Sequence, residues 1–180
     1  MGLSVIFADG FEEVEAVTSL DFIRRAGIEA VSAGLGGRDI IGGHEIRVTT
    51  DLTVQELGSD LDGIILPGGM PGAEHLRDSQ DVRNLVMSMF EQGKLIAAIC
   101  AAPGIVLGSC GILAGRKFTC YPGFEKHVED GTFIEDQVVR DGNIITSRGP
   151  GTAARFAVEV IRYISGDKAA DEVFTKTLQK

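Results

Sequence analysis

The fold of this 180-residue chain is decided by the stretch Leu95-Ile96-Ala97-Ala98-Ile99-Cys100-Ala101-Ala102-Pro103. Its first five residues are all apolar, and a short apolar run is typical of a strand buried on both faces of a parallel sheet. Proline suits the first turn of a helix, because its missing N–H has no helical partner there in any case. The stretch therefore predicts a buried strand and a helix joined by a tight turn at Cys100.

The same alternation of strands and helices continues on both sides of this stretch. Strands are predicted for Leu3 to Ala8, Glu29 to Ala33, Asp62 to Leu66, Gln137 to Arg140 and Asn143 to Ser147. Helices are predicted for Phe11 to Ala26, Asp81 to Gln92, Pro103 to Gly111 or Gly115, Gly151 to Ile164 and Lys168 to Leu178. A small hairpin or flap is predicted within 34–55, and Asp141-Gly142 is expected to be a two-residue hairpin turn.

Strands that alternate with long helices form βαβ units, which build a parallel sheet covered by helices on both faces. We therefore predict an α/β fold of the flavodoxin-like type: a three-layer sandwich with a mostly parallel, doubly wound sheet. A chain of this length is expected to form one domain, 1–180.

Composition and charge exclude several classes of protein. The formal net charge of −9 disfavours nucleic acid as a partner, because nucleic-acid-binding proteins concentrate Lys and Arg on one face. No apolar run approaches the roughly 20 residues of a membrane helix, and the first residues carry no basic leader. We expect a soluble, cytoplasmic protein that binds neither membranes nor nucleic acid.

The three cysteines, Cys100, Cys110 and Cys120, are evenly spread and lack the close pairing of a zinc site or a disulfide framework. We therefore predict no metal site and expect reduced thiols. Cys110 and Cys120 are interpreted as small buried hydrophobic residues.

Cys100 is interpreted differently, because its turn is similar to a nucleophile elbow, in which small neighbours let the backbone bend and expose the reactive side chain. Ala101 and Ala102 are such neighbours. The positive end of the following helix is expected to favour the thiolate and to lower the thiol pKa. The alternative is a buried structural thiol.

A second turn, Leu66-Pro67-Gly68-Gly69, follows another predicted strand. The carboxyl ends of parallel strands meet at one edge of the sheet, where ligands bind. Backbone N–H groups of Gly68, Gly69 and Ala101 are therefore candidate donors to the oxyanion that forms when a thiol attacks a carbonyl. The alternative is that the paired glycines only form a tight turn.

The first predicted helix carries a carboxylate on its apolar side. Phe11, Glu15, Thr18 and Phe22 fall on one helical stripe, whereas Glu12 and Glu13 are interpreted as first-turn acids that face water. A buried carboxyl group either finds a partner or stays protonated. We predict that a protonated Glu15 donates a hydrogen bond to Cys100 and moves protons, the alternative being a tolerated Glu at the rim of the stripe.

Together these features resemble the DJ/ThiJ/PfpI superfamily, on the branch that contains the Parkinson's-disease deglycase and bacterial ThiJ-like proteins. The resemblance rests on Glu12-Glu13-Val14-Glu15, Arg24-Arg25-Ala26-Gly27, Leu66-Pro67-Gly68-Gly69, Ile99-Cys100-Ala101-Ala102-Pro103 and Thr146-Ser147-Arg148-Gly149-Pro150-Gly151-Thr152. It implies a single domain similar to class I glutamine amidotransferases. It also implies that Cys100 is an oxidation-sensitive nucleophile, that Glu15 is its protonated partner, and that Gly69 and Ala101 are oxyanion donors.

The resemblance further implies a homodimer, in which Arg25 and His44 lie near a site completed by the second subunit. Two positions depart from the family pattern. Tyr121 precedes Pro122 where the human-type branch commonly has His, and Ala101 follows the cysteine where the peptidase-like branch has His. Tyr121 is expected to line the pocket without transferring protons, and the remaining histidines, His75 and His127, are expected at the surface.

The function that the resemblance implies is conversion of reactive 2-oxoaldehydes, such as methylglyoxal, to 2-hydroxy acids without a cofactor, or the related removal of early glycation adducts from protein side chains. The alternative is a redox sensor or holdase chaperone that uses the oxidisable Cys100. A cysteine peptidase is a weaker alternative, because no base that could activate attack on an amide is evident. A thiazole monophosphate biosynthesis protein is equally weak, because it follows from a family label more than from residues.

Overall fold

A computed structural model describes residues 2–179, so the two ends of the predicted domain, 1 and 180, lie outside the described residues. The strands are β1 Leu3–Phe7, β2 Ala30–Gly34, β3 Asp39–Ile41, β4 Arg47–Thr49, β5 Leu52–Thr53, β6 Gly63–Leu66, β7 Leu95–Ile99, β8 Lys117–Phe118, β9 Thr132–Phe133, β10 Val138–Asp141 and β11 Ile144–Ser147. The α-helices are α1 Glu13–Arg25, α2 Gly72–Asp78, α3 Gln80–Glu91, α4 Ala153–Ser165 and α5 Asp167–Lys176.

Seven strands form the central sheet in the order β10-β11-β7-β6-β1-β2-β5. All neighbours are parallel except β10, which pairs antiparallel with β11. The chain moves outward from β1 to β2 and β5, and then returns to β6 on the other side of β1. This order is that of a flavodoxin-like doubly wound sheet and confirms the predicted fold class. The order reverses between β1 and β6, where ligands bind in such sheets.

Two apolar cores lie on opposite faces of the sheet, because successive side chains of each strand point to opposite sides. One core joins β1 to α1, α4 and α5 and includes Phe7, Ile23 and Phe156. The other core lies under α2, α3 and the helical segment after Cys100, and it includes Leu76 and Val86. The sandwich therefore has the three predicted layers. None of the helices within residues 2–179 combines the length and apolar character needed to cross a membrane.

Several local features differ from the sequence-based expectations. Strands β8 and β9, which form a separate two-stranded sheet, were not among the predicted strands. Helix α2 was not predicted because it begins at Gly72, in a segment that has the composition of a turn. The segment after Cys100 begins as a π-helix, Pro103–Leu107. The loop between β10 and β11 is Gly142-Asn143, one residue later than expected, because Asp141 pairs with Ile144. The flap is confirmed as the antiparallel pair of β3 and β4.

Candidate active site

The turn at Cys100 is strained and is held from both sides. Cys100 has a φ of 65°, which is uncommon for a residue other than glycine. Its N–H donates to the Ser147 carbonyl at 2.9 Å, and its own carbonyl accepts from the N–H of Tyr121 at 2.8 Å. The neighbouring strand and the 121 loop thus fix the backbone that aims the thiol, which is half-buried. This geometry is the predicted elbow.

The sulfur of Cys100 faces two backbone donors on adjacent turns. The N–H groups of Gly69 and Ala101 hydrogen-bond to the Cys100 side chain. Gly68 packs directly against this residue, since a Cβ added at Gly68 would lie 2.6 Å from the Cys100 Cβ and 3.0 Å from its Sγ. The two turns can approach this closely only because position 68 has no side chain.

Glu15 lies beside the thiol and is completely buried. Its Oε2 accepts a hydrogen bond from the N–H of Gly68 at 2.8 Å. Its Oε1 has no hydrogen bond to a nitrogen or oxygen atom of residues 2–179, and the Cys100 side chain interacts with the carboxyl group. Burial raises the pKa of Glu15 to about 7, and the charge of Glu12 adds to this effect, whereas the bond from Gly68 opposes it. The carboxyl group can therefore both accept and donate a proton near neutral pH.

Gly68 has a different role from the one predicted. Its N–H is already used by Glu15, so it is not available to a substrate oxygen. Gly69 and Ala101 remain as the candidate oxyanion donors. Gly68 instead holds the Glu15 carboxyl group in place, a contact between residues 53 positions apart in the chain.

The expected lowering of the Cys100 pKa is wrong. Burial raises the pKa of this thiol, and the charge of an ionised Glu15 raises it further, which outweighs the two backbone donors. Burial also raises the pKa of Cys110, and it raises that of Cys120 to about 12. Cys120 is fully buried as expected, whereas Cys110 is only half-buried. Activation of Cys100 therefore requires transfer of its proton to a base, and Glu15 is the base at hand.

Glu13 does not face water as expected; it is buried under the flap. Its Oε1 accepts the backbone N–H of His44 at 2.7 Å, and its Oε2 lies 2.8 Å from the His44 Nδ1. Burial opposes ionisation, but the bonds from His44 lower the pKa of Glu13, and the same bond raises the pKa of His44. This ion pair ties the flap to the first turn of α1, one residue away from Glu12 and two from Glu15.

Arg25 and Tyr121 lie at different distances from the thiol. Arg25 is ten positions after Glu15 on α1, about 15 Å along the helix axis, and its Nε bonds to Asp21 at 2.6 Å. The fold does not bring Arg25 to Cys100 within one chain. Tyr121 does reach the elbow through its backbone, and its exposed ring covers Gly149.

The remaining histidines lie outside the site. Both side chains are exposed; the His75 Nδ1 lies 2.8 Å from the Asp9 carbonyl, and the His127 ring packs against Phe124. Within the described part of the chain, one group of side chains has ligand atoms close enough to share a metal ion: Glu12, Glu13 and His44, all within 4.8 Å of one another. Within this group the His44 Nδ1 pairs with Glu13.

The sequence is similar to proteins of known family along almost its whole length. A model of the DJ-1/PfpI family matches residues 3–163. Protein dj-1beta of Drosophila melanogaster is 40% identical over 94% of this chain and 92% of its own length. A Pyrococcus abyssi protein named a deglycase is 32% identical over 91% of this chain and 99% of its own length. The solved structure of oxidized Toxoplasma gondii DJ-1 superposes with a TM-score of 0.95 at 35% identity, covering 98% of this chain and 97% of that one. Because the family model matches most of the chain and these relatives are similar over nearly its whole length, the chain belongs to the DJ-1/PfpI family.

Proposed function

We propose that this protein is a cysteine-dependent enzyme that converts 2-oxoaldehydes such as methylglyoxal to 2-hydroxy acids, or acts on the early adducts that they form with protein side chains. One arrangement carries the proposal: the Cys100 sulfur faces two backbone N–H donors and contacts a buried carboxyl group whose pKa is about 7. The relative named a deglycase supports the same class of chemistry.

The first step is addition of the thiol to the aldehyde. The Cys100 sulfur bonds to the aldehyde carbon, the C=O π bond breaks, and the thiol proton passes to Glu15. The N–H groups of Gly69 and Ala101 stabilise the negative charge that develops on the former carbonyl oxygen. Because the thiol pKa is raised, an ionised Glu15 is needed as base. The protonated carboxyl group then gives this proton to the former carbonyl oxygen, so the step ends with a neutral hemithioacetal beside an ionised Glu15.

The second step moves a proton between the two carbons of the substrate. Glu15 removes the hydrogen from the carbon bonded to sulfur, which gives an enediol, and a proton returned to the adjacent carbon gives a 2-hydroxy thioester. Water then cleaves the thioester and releases lactate and the free thiol, so that methylglyoxal and one water are consumed for each lactate. Every proton transfer in this scheme uses the one carboxyl group that contacts the sulfur.

The decisive experiment measures lactate formation from methylglyoxal by the wild type and by Cys100→Ser. The substitution is expected to abolish turnover, because serine is a far weaker nucleophile in this setting, while Cys110→Ser should retain most of it. A single lactate enantiomer is expected, since one carboxyl group delivers the proton from one side. Turnover retained by Cys100→Ser would refute the assignment.

We further propose that two copies of the chain form the working unit. Val14 and Val17 are exposed on the outer face of α1, and Ile46 is exposed on the flap that Glu13 ties to that helix. Apolar side chains grouped in this way are typical of a protein interface. Sedimentation should show a dimer for the wild type and a monomer for Val17→Glu; a wild-type monomer would refute the proposal.

A redox-sensing or chaperone function is the second candidate. It is favoured by the half-buried position of Cys100 and by the relative whose structure was solved in an oxidized form. The free thiols agree with the reducing cytoplasm that we propose as its location. Suppression of the aggregation of a denatured client, measured for the wild type and Cys100→Ser, tests this candidate. A sensor loses the effect with Cys100, whereas an effect that persists without it indicates a holdase surface.

A further inference from the structure

Arg148 lies beside the nucleophile at the carboxyl edge of the sheet. Strands β11 and β7 are parallel, with Ser147 opposite Ile99, so the next residues on the two strands are Arg148 and Cys100. The hydrogen bond from the Cys100 N–H to the Ser147 carbonyl keeps this register through the turn. Neighbouring strands lie about 4.8 Å apart, which places the Arg148 backbone next to the reactive residue.

The guanidinium group of Arg148 is poorly partnered. Its Nη1 is buried and has no hydrogen bond among the described residues. The same Nη1 forms an ion pair with Glu135, whose Oε1 is 3.4 Å away on a side chain that is 81% exposed. An ion pair with such an exposed partner is screened by solvent and contributes little. A buried donor that makes no directed hydrogen bond is rare in a folded protein, and a bound ligand can supply the missing acceptor.

The Arg148 side chain also lies near the loop that contacts the Cys100 backbone. Arg148 lies close to Cys120, which directly precedes Tyr121: burial raises the pKa of this thiol, and the positive charge of Arg148 partly opposes that rise. The N–H of Tyr121 bonds to the Cys100 carbonyl, and Gly149 lies under the Tyr121 ring. The side chain of Arg148 is 22% exposed, so part of it is open to solvent.

We infer that Arg148 is an anion-recognition residue that selects aldehydes carrying a carboxylate next to the reacting carbonyl. The planar guanidinium group matches a carboxylate through two parallel hydrogen bonds. Glyoxylate is the smallest such compound. Its aldehyde carbon bonds to the Cys100 sulfur, its C=O π bond breaks, and the thiol proton ends on the new hydroxyl group, which gives a reversible hemithioacetal whose carboxylate faces Arg148. This inference rests on the proposed role of Cys100 as the nucleophile.

The test measures how well two aldehydes protect Cys100 from alkylation by iodoacetamide, followed by intact mass. Glyoxylate carries the carboxylate, and glycolaldehyde is a neutral compound of nearly the same size. In the wild type, glyoxylate should protect at a lower concentration than glycolaldehyde. Arg148→Gln should raise the glyoxylate concentration needed by about tenfold or more, the size expected for loss of a charge-assisted hydrogen bond, and leave glycolaldehyde unchanged.

Three further variants separate recognition from structure. Arg148→Lys keeps the positive charge but cannot form the two parallel hydrogen bonds to a carboxylate, so it should give intermediate protection by glyoxylate. Arg140→Gln removes the same charge on the far edge strand and should behave as the wild type. Glu135→Gln removes the exposed partner and should leave glyoxylate protection equal or stronger, and this variant decides the matter if Arg148→Gln fails to fold.

The outcomes distinguish the two proposals. Equal protection by the two aldehydes in the wild type, or glyoxylate protection unchanged in Arg148→Gln, overturns the role of Arg148 even if methylglyoxal is turned over. Weaker glyoxylate protection in Glu135→Gln also overturns it, because Arg148 would then act through its pairing with Glu135. Protection that depends on Arg148 in a protein without methylglyoxal turnover supports the anion site and refutes the proposed reaction.

Discussion

Replacing Glu15 with Gln should stabilise the protein above neutral pH while removing its activity. Burial raises the pKa of this carboxyl group from 4.5 to about 7. One pKa unit corresponds to about 1.4 kcal/mol, so ionised Glu15 lowers the free energy of unfolding by about 3 kcal/mol. Glutamine has nearly the same shape and keeps an oxygen that can accept the Gly68 N–H. The variant therefore avoids the free-energy penalty of a buried charge and keeps the hydrogen bond from the Gly68 N–H.

The sign of the pH dependence follows from proton binding. Below pH 4.5 the carboxyl group is protonated in both the folded and the unfolded chain, so it adds no difference there. Between pH 4.5 and about 7 the unfolded chain loses this proton while the folded chain keeps it, and the free energy of unfolding falls as the pH rises. Above that window the full penalty is present. The advantage of Glu15→Gln should therefore appear across this window and stay constant above it.

Urea denaturation of the wild type and Glu15→Gln at pH 4.5 and pH 8 measures this effect, because the difference between the two proteins cancels every other titrating group. The expected difference is near zero at the lower pH and about 3 kcal/mol at the higher pH, in favour of the variant. Glu13→Gln is the control with the opposite sign, since its bonds with His44 lower the pKa of Glu13 and stabilise the ionised form. A Glu15→Gln variant that is no more stable than the wild type at pH 8 would show that burial does not raise the pKa of Glu15.

Three other perturbations test the site. Gly68→Ala should lower the free energy of unfolding by about 1–3 kcal/mol and turnover by about tenfold or more, because the added Cβ meets Cys100. Gly58→Ala, whose added Cβ meets nothing within 4 Å, is the control in denaturation and kinetic assays. Mild peroxide should add two oxygens to Cys100 in the wild type and in Glu15→Gln, as measured by intact-mass spectrometry. Fewer are expected in Glu15→Asp, whose shorter side chain cannot reach the sulfinate. Oxidation of the other cysteines first would contradict this prediction. His44→Ala should reduce the melting temperature more at pH 6 than at pH 9. The reason is that the ion pair with Glu13, which raises the His44 pKa, stabilises the fold only while the ring is protonated. An equal loss at both pH values would count against the ion pair.

Short-range sequence patterns were sufficient to predict the strand, turn and helices that hold the candidate active-site residues. The apolar run 95–99 and Pro103 predicted a strand, a turn and a helix start, and the structure has all three. The carboxylate on the stripe of the first helix predicted a buried Glu15, and it is completely buried. These predictions succeeded because strand and helix periodicities and the backbone limits of proline act over a few residues. The resemblance of five short segments then indicated the family.

Tertiary structure alone decided how these elements work together. The three turns near Gly10, Gly68 and Cys100 meet because the strand order reverses beside β1, and no local pattern predicts how closely their backbones approach. That approach gives the Gly68 N–H to Glu15 rather than to a substrate. Likewise, the pKa of the Cys100 thiol depends on burial and on a charge 85 positions away in the sequence, so the helix N-terminus, the one influence visible locally, gave the wrong direction. Hydrogen bonding and desolvation depend on distances in the folded chain, and these are set only when distant segments pack.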